Sequence, residues 1–127
     1  MGIEHTALYV RDLEAAKRFF TRYFHAQPGA DYHNPRTGFR SCFLSFDSGG
    51  RLELMWLPEL AEGDRAVPAA GFAHVAFSVG SRQAVDALTD RLRQDGYPVL
   101  SGPRLTGDGY YESCVSDGEG NRIEITV

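Results

Sequence analysis

Residues 3 to 10 alternate in the two-residue period of a strand, with Ile3, His5, Ala7 and Tyr9 on one face and Glu4, Thr6, Leu8 and Val10 on the other. Leu13, Ala16, Phe20, Tyr23 and Phe24 then recur at three- and four-residue steps. That spacing predicts a helix with one apolar stripe, N-capped by Asp12 and ended by Gln27-Pro28-Gly29. A short strand around residues 29 to 33 is weakly patterned. Phe39 to Phe46 and Arg51 to Leu57 read as strands joined by a turn at Asp47-Ser48-Gly49-Gly50.

The same succession recurs further along. Phe72 to Val79 is strand-like, and Ser81 caps a helix whose stripe is Ala84, Val85, Leu88 and Leu92, closed by Gly96. Pro98 to Leu100, Tyr110 to Ser116 and Asn121 to Val127 follow as strands, the last two joined at Asp117-Gly118-Glu119-Gly120. The chain is therefore predicted to be α+β, a tandem of βαβββ modules within a single domain over residues 1–127. The first module covers about 1–57, a connection rich in Pro, Ala and Gly covers 58–71, and the second covers about 72–127. Each repeat is too short to bury both faces of its own sheet, so a joint, curved, mixed sheet is expected.

Composition narrows the function classes. Seventeen acidic residues against 13 basic ones, with no basic stripe, argue against nucleic-acid binding. No stretch approaches the roughly 18 apolar residues of a membrane span, and the N-terminus has no signal-peptide pattern, so a cytoplasmic protein is expected. Cys42 and Cys114, in Ser41-Cys42-Phe43 and Ser113-Cys114-Val115, are placed at matching strand positions and read as reduced and half-buried.

The repeat also duplicates chemistry. His74 follows His5 by 69 residues and Glu124 follows Glu53 by 71, each in the same local pattern. Two imidazoles and two carboxylates suit a divalent first-row metal. Taken singly, a strand histidine is more often a satisfied core residue, and a glutamate between two leucines more often solvated. Its recurrence in both copies moves the reading of His5, Glu53, His74 and Glu124 toward metal ligands. A carboxylate held among Leu52, Leu54, Ile123 and Ile125 calls for a cation or strong hydrogen bonds to offset its desolvation. Phe43, Trp56, Tyr110 and Tyr111 are candidates to line an apolar pocket, and Arg11, Arg36, Arg40 and Arg104 to contact anions; for each the ordinary core or surface role is the commoner one.

HTALYV at 5 to 10, LELM at 52 to 55, GFAHVAFSV at 71 to 79 and SDGEGNRIEI at 116 to 125 resemble the vicinal oxygen chelate superfamily of glyoxalase I, bleomycin resistance proteins and extradiol dioxygenases. The resemblance runs over essentially the whole chain and implies paired βαβββ modules around a metal cradle. Ligands at all four positions look most like small bacterial glyoxalase I, which implies a lyase or isomerase converting a 2-oxoaldehyde–thiol hemithioacetal to a 2-hydroxyacyl thioester through a metal-stabilised enediolate. Glu124 is then the candidate catalytic base, and Glu53 a ligand or the base for the opposite stereoisomer. Nickel or zinc is the expected ion, with cobalt, manganese or iron as alternatives, and a homodimer with shared sites is the expected assembly around a small-molecule substrate. The places that hold glutathione in such glyoxalases carry Tyr9 and Leu57 here, so the resemblance leaves the thiol open. A ferrous extradiol-type dioxygenase and a non-catalytic drug- or metabolite-binding resistance protein are the competing functions.

Overall fold

The structure is a computed structural model that describes residues 1–61, 63 and 70–127. It divides into two compact units, Met1–Glu62 and Gly63–Val127. Residues 62 and 64 to 69 of the expected connection lie outside the described residues.

In the first unit the order is β1 (Thr6–Tyr9), α1 (Leu13–Phe24), β2 (Gln27–His33), β3 (Arg40–Ser45) and β4 (Arg51–Trp56). In the second it is β5 (Val75–Ser78), α2 (Arg82–Gln94), β6 (Val99–Leu105), β7 (Tyr111–Ser116) and β8 (Arg122–Thr126). Each unit forms a four-stranded sheet, ordered β1-β4-β3-β2 and β5-β8-β7-β6, with its first and last strands parallel and the rest antiparallel. The tandem α+β architecture is therefore present, as two four-stranded mixed sheets. Both β2 and β6 are irregular in register and carry prolines, Pro28 and Pro103, which lack the N–H of a further ladder, while β1 and β5 at the opposite edges are four residues long.

The helices form where capping and stripe agree. Asp12 accepts a hydrogen bond from the Ala15 amide at 2.8 Å, and Ser81 accepts one from Ala84 at 3.1 Å. The first helix stops at Phe24, short of the predicted Gln27-Pro28-Gly29. His25 adopts φ 56°, in the left-handed region, and Gln27 already pairs with Ser45 in β2. Helix α2 ends in a Schellman motif, with the Gly96 amide donating to Arg93 O and the Tyr97 amide to Leu92 O.

One face of each sheet meets its helix. Leu44, Leu52 and Leu54 are buried with Phe19, Phe20, Tyr23 and Phe24 of α1; Val115, Ile123 and Ile125 are buried with Val85, Thr89 and Leu92 of α2. Thr89 is the polar member of that second stripe. It donates to Val85 O at 2.6 Å and meets Ser113 Oγ at 2.6 Å, so the buried hydroxyls satisfy one another. The turn into β8 is held by Asp117, whose Oδ1 accepts from the Glu119 and Asn121 amides and whose Oδ2 accepts from Asn121 Nδ2 at 2.6 Å. Burial raises the Asp117 carboxyl above its usual range, against these three bonds, which lower it.

Candidate metal centre

The strand period fixes where the glutamates point. Leu52 and Leu54 pack under α1, so Glu53 between them faces away from the helix; Ile123 and Ile125 do the same to Glu124. Parallel pairing then selects the neighbour. Ala7 lies in register with Glu53, and Ala76 with Glu124. Each histidine is two residues before that alanine, on the same face, and the alanine's small side chain leaves the space between open. His5 Nε2 lies 3.8 Å from Glu53 Oε2, and His74 Nε2 lies 3.1 Å from Glu124 Oε2. Both are ion-pair separations, the first too long for a hydrogen bond.

Both histidines stand just ahead of the assigned strands, which begin at Thr6 and Val75 rather than at Ile3 and Phe72. They are 38% and 41% exposed, while Glu53 and Glu124 are 16% and 21% exposed, so each unit offers an imidazole and a sheltered carboxylate on an open face. Burial pushes the Glu124 carboxyl up, and the neighbouring His74 partly offsets this.

The structure thus brings His5 to Glu53 and His74 to Glu124. Among the described residues no group of three or more His, Cys, Asp or Glu side chains gathers into one ligand cluster. The donor chemistry of the pairs nonetheless fits a borderline divalent ion: imidazole nitrogen and carboxylate oxygen face each other, with one face of each pair accessible.

Several surrounding residues depart from the sequence-based expectations. Ladder register matches Cys114 with Glu124 but Phe43 with Glu53. Cys114 therefore corresponds to Phe43, not to Cys42. Aligning Ser-Cys pairs by identity slips the pleat by one residue, and a one-residue slip changes the face. Cys42 is buried against the core, opposite Leu54, while Cys114 is half-buried on the Glu124 face. Tyr111 faces α2 instead of a pocket at Glu124: its hydroxyl donates to Asp86 Oδ1 at 2.7 Å, and Arg82 lies over its ring. Phe43 does flank the site, edge-on to the His5 ring at 5.1 Å. Of the four arginines considered, Arg104 is the one whose charge acts on Glu124, lowering its carboxyl.

Sequence patterning missed Glu4. Its carboxylate bridges His5 Nδ1 and Arg51 Nη2, and those two bonds hold it below the usual carboxylate range.

The family model for the Glyoxalase/Bleomycin resistance protein/Dioxygenase superfamily matches residues 2–125. The chain belongs to this superfamily. It is 27% identical over 128 residues to the uncharacterized protein YqjT of Bacillus subtilis (strain 168), covering 98% of both chains. A glyoxalase family protein from Enterococcus faecalis superposes with a TM-score of 0.82 at 20% identity, over 99% of this chain and 97% of that one. A mutant of FosX, the genomically encoded fosfomycin resistance protein of Listeria monocytogenes, superposes with a TM-score of 0.75 at 21% identity, over 98% of this chain and 90% of that one. It was solved complexed with Mn(II) and 1S,2S-dihydroxypropylphosphonic acid. At these identities the two structures speak for a shared superfamily fold.

Proposed function

We propose that this protein is a divalent-metal-dependent lyase or isomerase of the glyoxalase I type, acting as a homodimer on the hemithioacetal of a 2-oxoaldehyde and a thiol. The observation that carries the reading is the repetition of one geometry: in both units a histidine and a glutamate meet across a parallel strand pair, on the face turned away from the helix. Superfamily membership and the manganese-bound FosX neighbour support the same direction.

In this mechanism His5, Glu53, His74 and Glu124 would hold one divalent ion, with nickel or zinc best suited to such a mixed imidazole and carboxylate set. Such an ion, when bound, would supply Lewis-acid polarisation of the substrate carbonyl. The chain's own contribution is proton management. Glu124 Oε2 takes the carbon-bound proton from the hemithioacetal carbon and returns it to the neighbouring carbonyl carbon, while the hydroxyl proton passes between the two oxygens. Substrate and product are thus isomers and no co-reactant is consumed. Partial burial makes the Glu124 carboxylate more basic than a solvated one, as a general base at neutral pH requires. Glu53, in the equivalent place, remains a ligand or serves the opposite stereoisomer.

Metal analysis of untagged protein, before and after reconstitution with nickel or zinc, tests the site. About one ion per His5/Glu53/His74/Glu124 set is expected, with tight binding lost in His74→Ala. Equal metal content in the parent, His5→Ala and His74→Ala proteins would place any metal elsewhere and overturn the reading.

A further inference from the structure

The two His–Glu pairs are copies, yet their surroundings differ in a way that bears on how each imidazole carries its proton. In the first unit Glu4 Oε2 engages His5 Nδ1, and Glu4 Oε1 accepts from Arg51 Nη2. The Arg51 guanidinium also lies over the Phe43 ring, 4.4 Å from its centroid, and Phe43 is edge-on to His5. Arg51 therefore anchors the carboxylate from one side while Phe43 restrains the imidazole from another. In the second unit the residue before His74 is Ala73, and Cys114 holds the place of Phe43; the arginine persists as Arg122. His74 faces Glu124 through Nε2.

A neutral imidazole has one N–H, and whichever nitrogen finds an acceptor keeps it. At His5 the acceptor is Glu4, on Nδ1. Nε2 then has only a lone pair to turn toward the Glu53 carboxylate, and two acceptors do not approach: the 3.8 Å separation follows. At His74 the acceptor within reach is Glu124, whose Oε2 lies 3.1 Å from Nε2.

We propose that Glu4, anchored by Arg51, is a positioning residue that fixes His5 as its Nδ1–H tautomer and presents a free Nε2 lone pair, whereas His74 rests as the Nε2–H tautomer bound to Glu124. The first pair is preorganised to donate to an electrophile, and the second must first surrender a hydrogen bond. The tautomer assignment stands on these contacts alone; its consequence for metal rests on the function proposed above. Carboxylate partners of ligating histidines typically contribute 10- to 100-fold in metal affinity, so Glu4 is expected to do so at His5.

Long-range proton–nitrogen correlation spectra of metal-stripped, 15N-histidine-labelled protein, at a pH where both rings are neutral, read the tautomers directly. The His5 and His74 signals are assigned by their loss in His5→Ala and His74→Ala. The expected pattern is Nδ1–H at His5 and Nε2–H at His74. Glu4→Ala and Arg51→Ala move His5 toward a mixture and leave His74 unchanged, while Glu4→Gln, whose amide oxygen still accepts, retains Nδ1–H. An Nε2–H His5 in the parent protein, or a His5 pattern unmoved by Glu4→Ala, overturns the proposal. Zinc titration of Glu4→Ala should show 10- to 100-fold weaker binding at unchanged thermal stability; parent-like affinity would remove Glu4 from the metal chemistry. A protein with the expected tautomers that binds neither zinc nor nickel supports the positioning role and sinks the proposed function, so the two failures are distinguishable.

Discussion

Cys114 lies opposite Glu124 across the β7–β8 ladder, in the place that Phe43 holds opposite Glu53. A thiol in one copy and a phenyl ring in the other give the two carboxylates different neighbours on otherwise equivalent faces. Cys42 is buried at 1% exposure while Cys114 is half-buried, and burial pushes both thiols above their usual range. Iodoacetamide should therefore label Cys114 slowly and Cys42 only on unfolding. Mass spectrometry of the intact and digested protein checks this; faster labelling at Cys42 would show that the first-unit core opens in the native state.

Glu124→Gln should bind nickel or zinc and lose most of its turnover, since an amide cannot accept the substrate proton. Thioester formation followed across several thiols measures it. Tyr9 and Leu57, at the places that carry glutathione-holding residues in small bacterial glyoxalases, lead to the expectation that glutathione is a poor partner. Oxygen uptake on a catechol, with no thioester from any thiol, would favour the dioxygenase instead.

The helices were legible in the sequence because capping side chains and apolar period act within a few residues of one another, and the His–Glu pairs because the repeat copies His5 and Glu53 as His74 and Glu124. Asp12, Ser81 and Gly96 have the roles their chemistry predicts. The β2 strand was weakly legible because Gln27 to His33 are all exposed, leaving no alternation to read. The end of α1 was misplaced because His25, rather than a glycine, takes the left-handed conformation. Thr89 escaped the predicted stripe because its polarity is cancelled by Ser113, 24 residues away, and local patterning cannot see such a partner. Glu4 escaped for the same reason: its partner Arg51 is distant in sequence, and an exposed carboxylate resembles ordinary surface.

Thr89→Val should cost about 1–3 kcal/mol, because it leaves the Ser113 hydroxyl buried without its acceptor. Adding Ser113→Ala should restore part of that loss, so the double variant is more stable than the sum of the singles. Urea unfolding of the four proteins measures the coupling. Strict additivity would mean that the two hydroxyls do not depend on each other.

Lys17 contacts Asp31 at 2.9 Å and holds its carboxyl below the ordinary range. A depressed native value means that the unfolded chain binds this proton first. The stabilisation is therefore present above the ordinary carboxylate value of 3.8 and is lost as pH falls toward the native value. Asp31 is 43% exposed, so solvent screening limits the effect to less than about 1 kcal/mol. Lys17→Met should flatten this part of the acid-stability curve, as followed by circular dichroism; an unchanged slope would assign the acid sensitivity to other carboxylates.

Shared sites in a homodimer predict complementation. His5→Ala and His74→Ala proteins, each without tight metal binding, should regain one intact site per heterodimer when mixed under conditions that allow subunits to exchange. Metal should also tighten association by mass action. An active, metal-loaded monomer in sedimentation would eliminate the shared arrangement.

Each glutamate of the two pairs lies on an interior strand, bonded on both sides, while each histidine leads into a four-residue strand at the sheet's edge. Backbone at such an edge opens more readily than the ladder inside it. Hydrogen exchange should accordingly be faster in β1 and β5 than in β4 and β8, and fraying at the edge would swing an imidazole away without disturbing the carboxylate. The lifetime of anything held between them is then governed by how often a short strand lets go, and can be lengthened by substitutions in β1 or β5 that never touch the ligand.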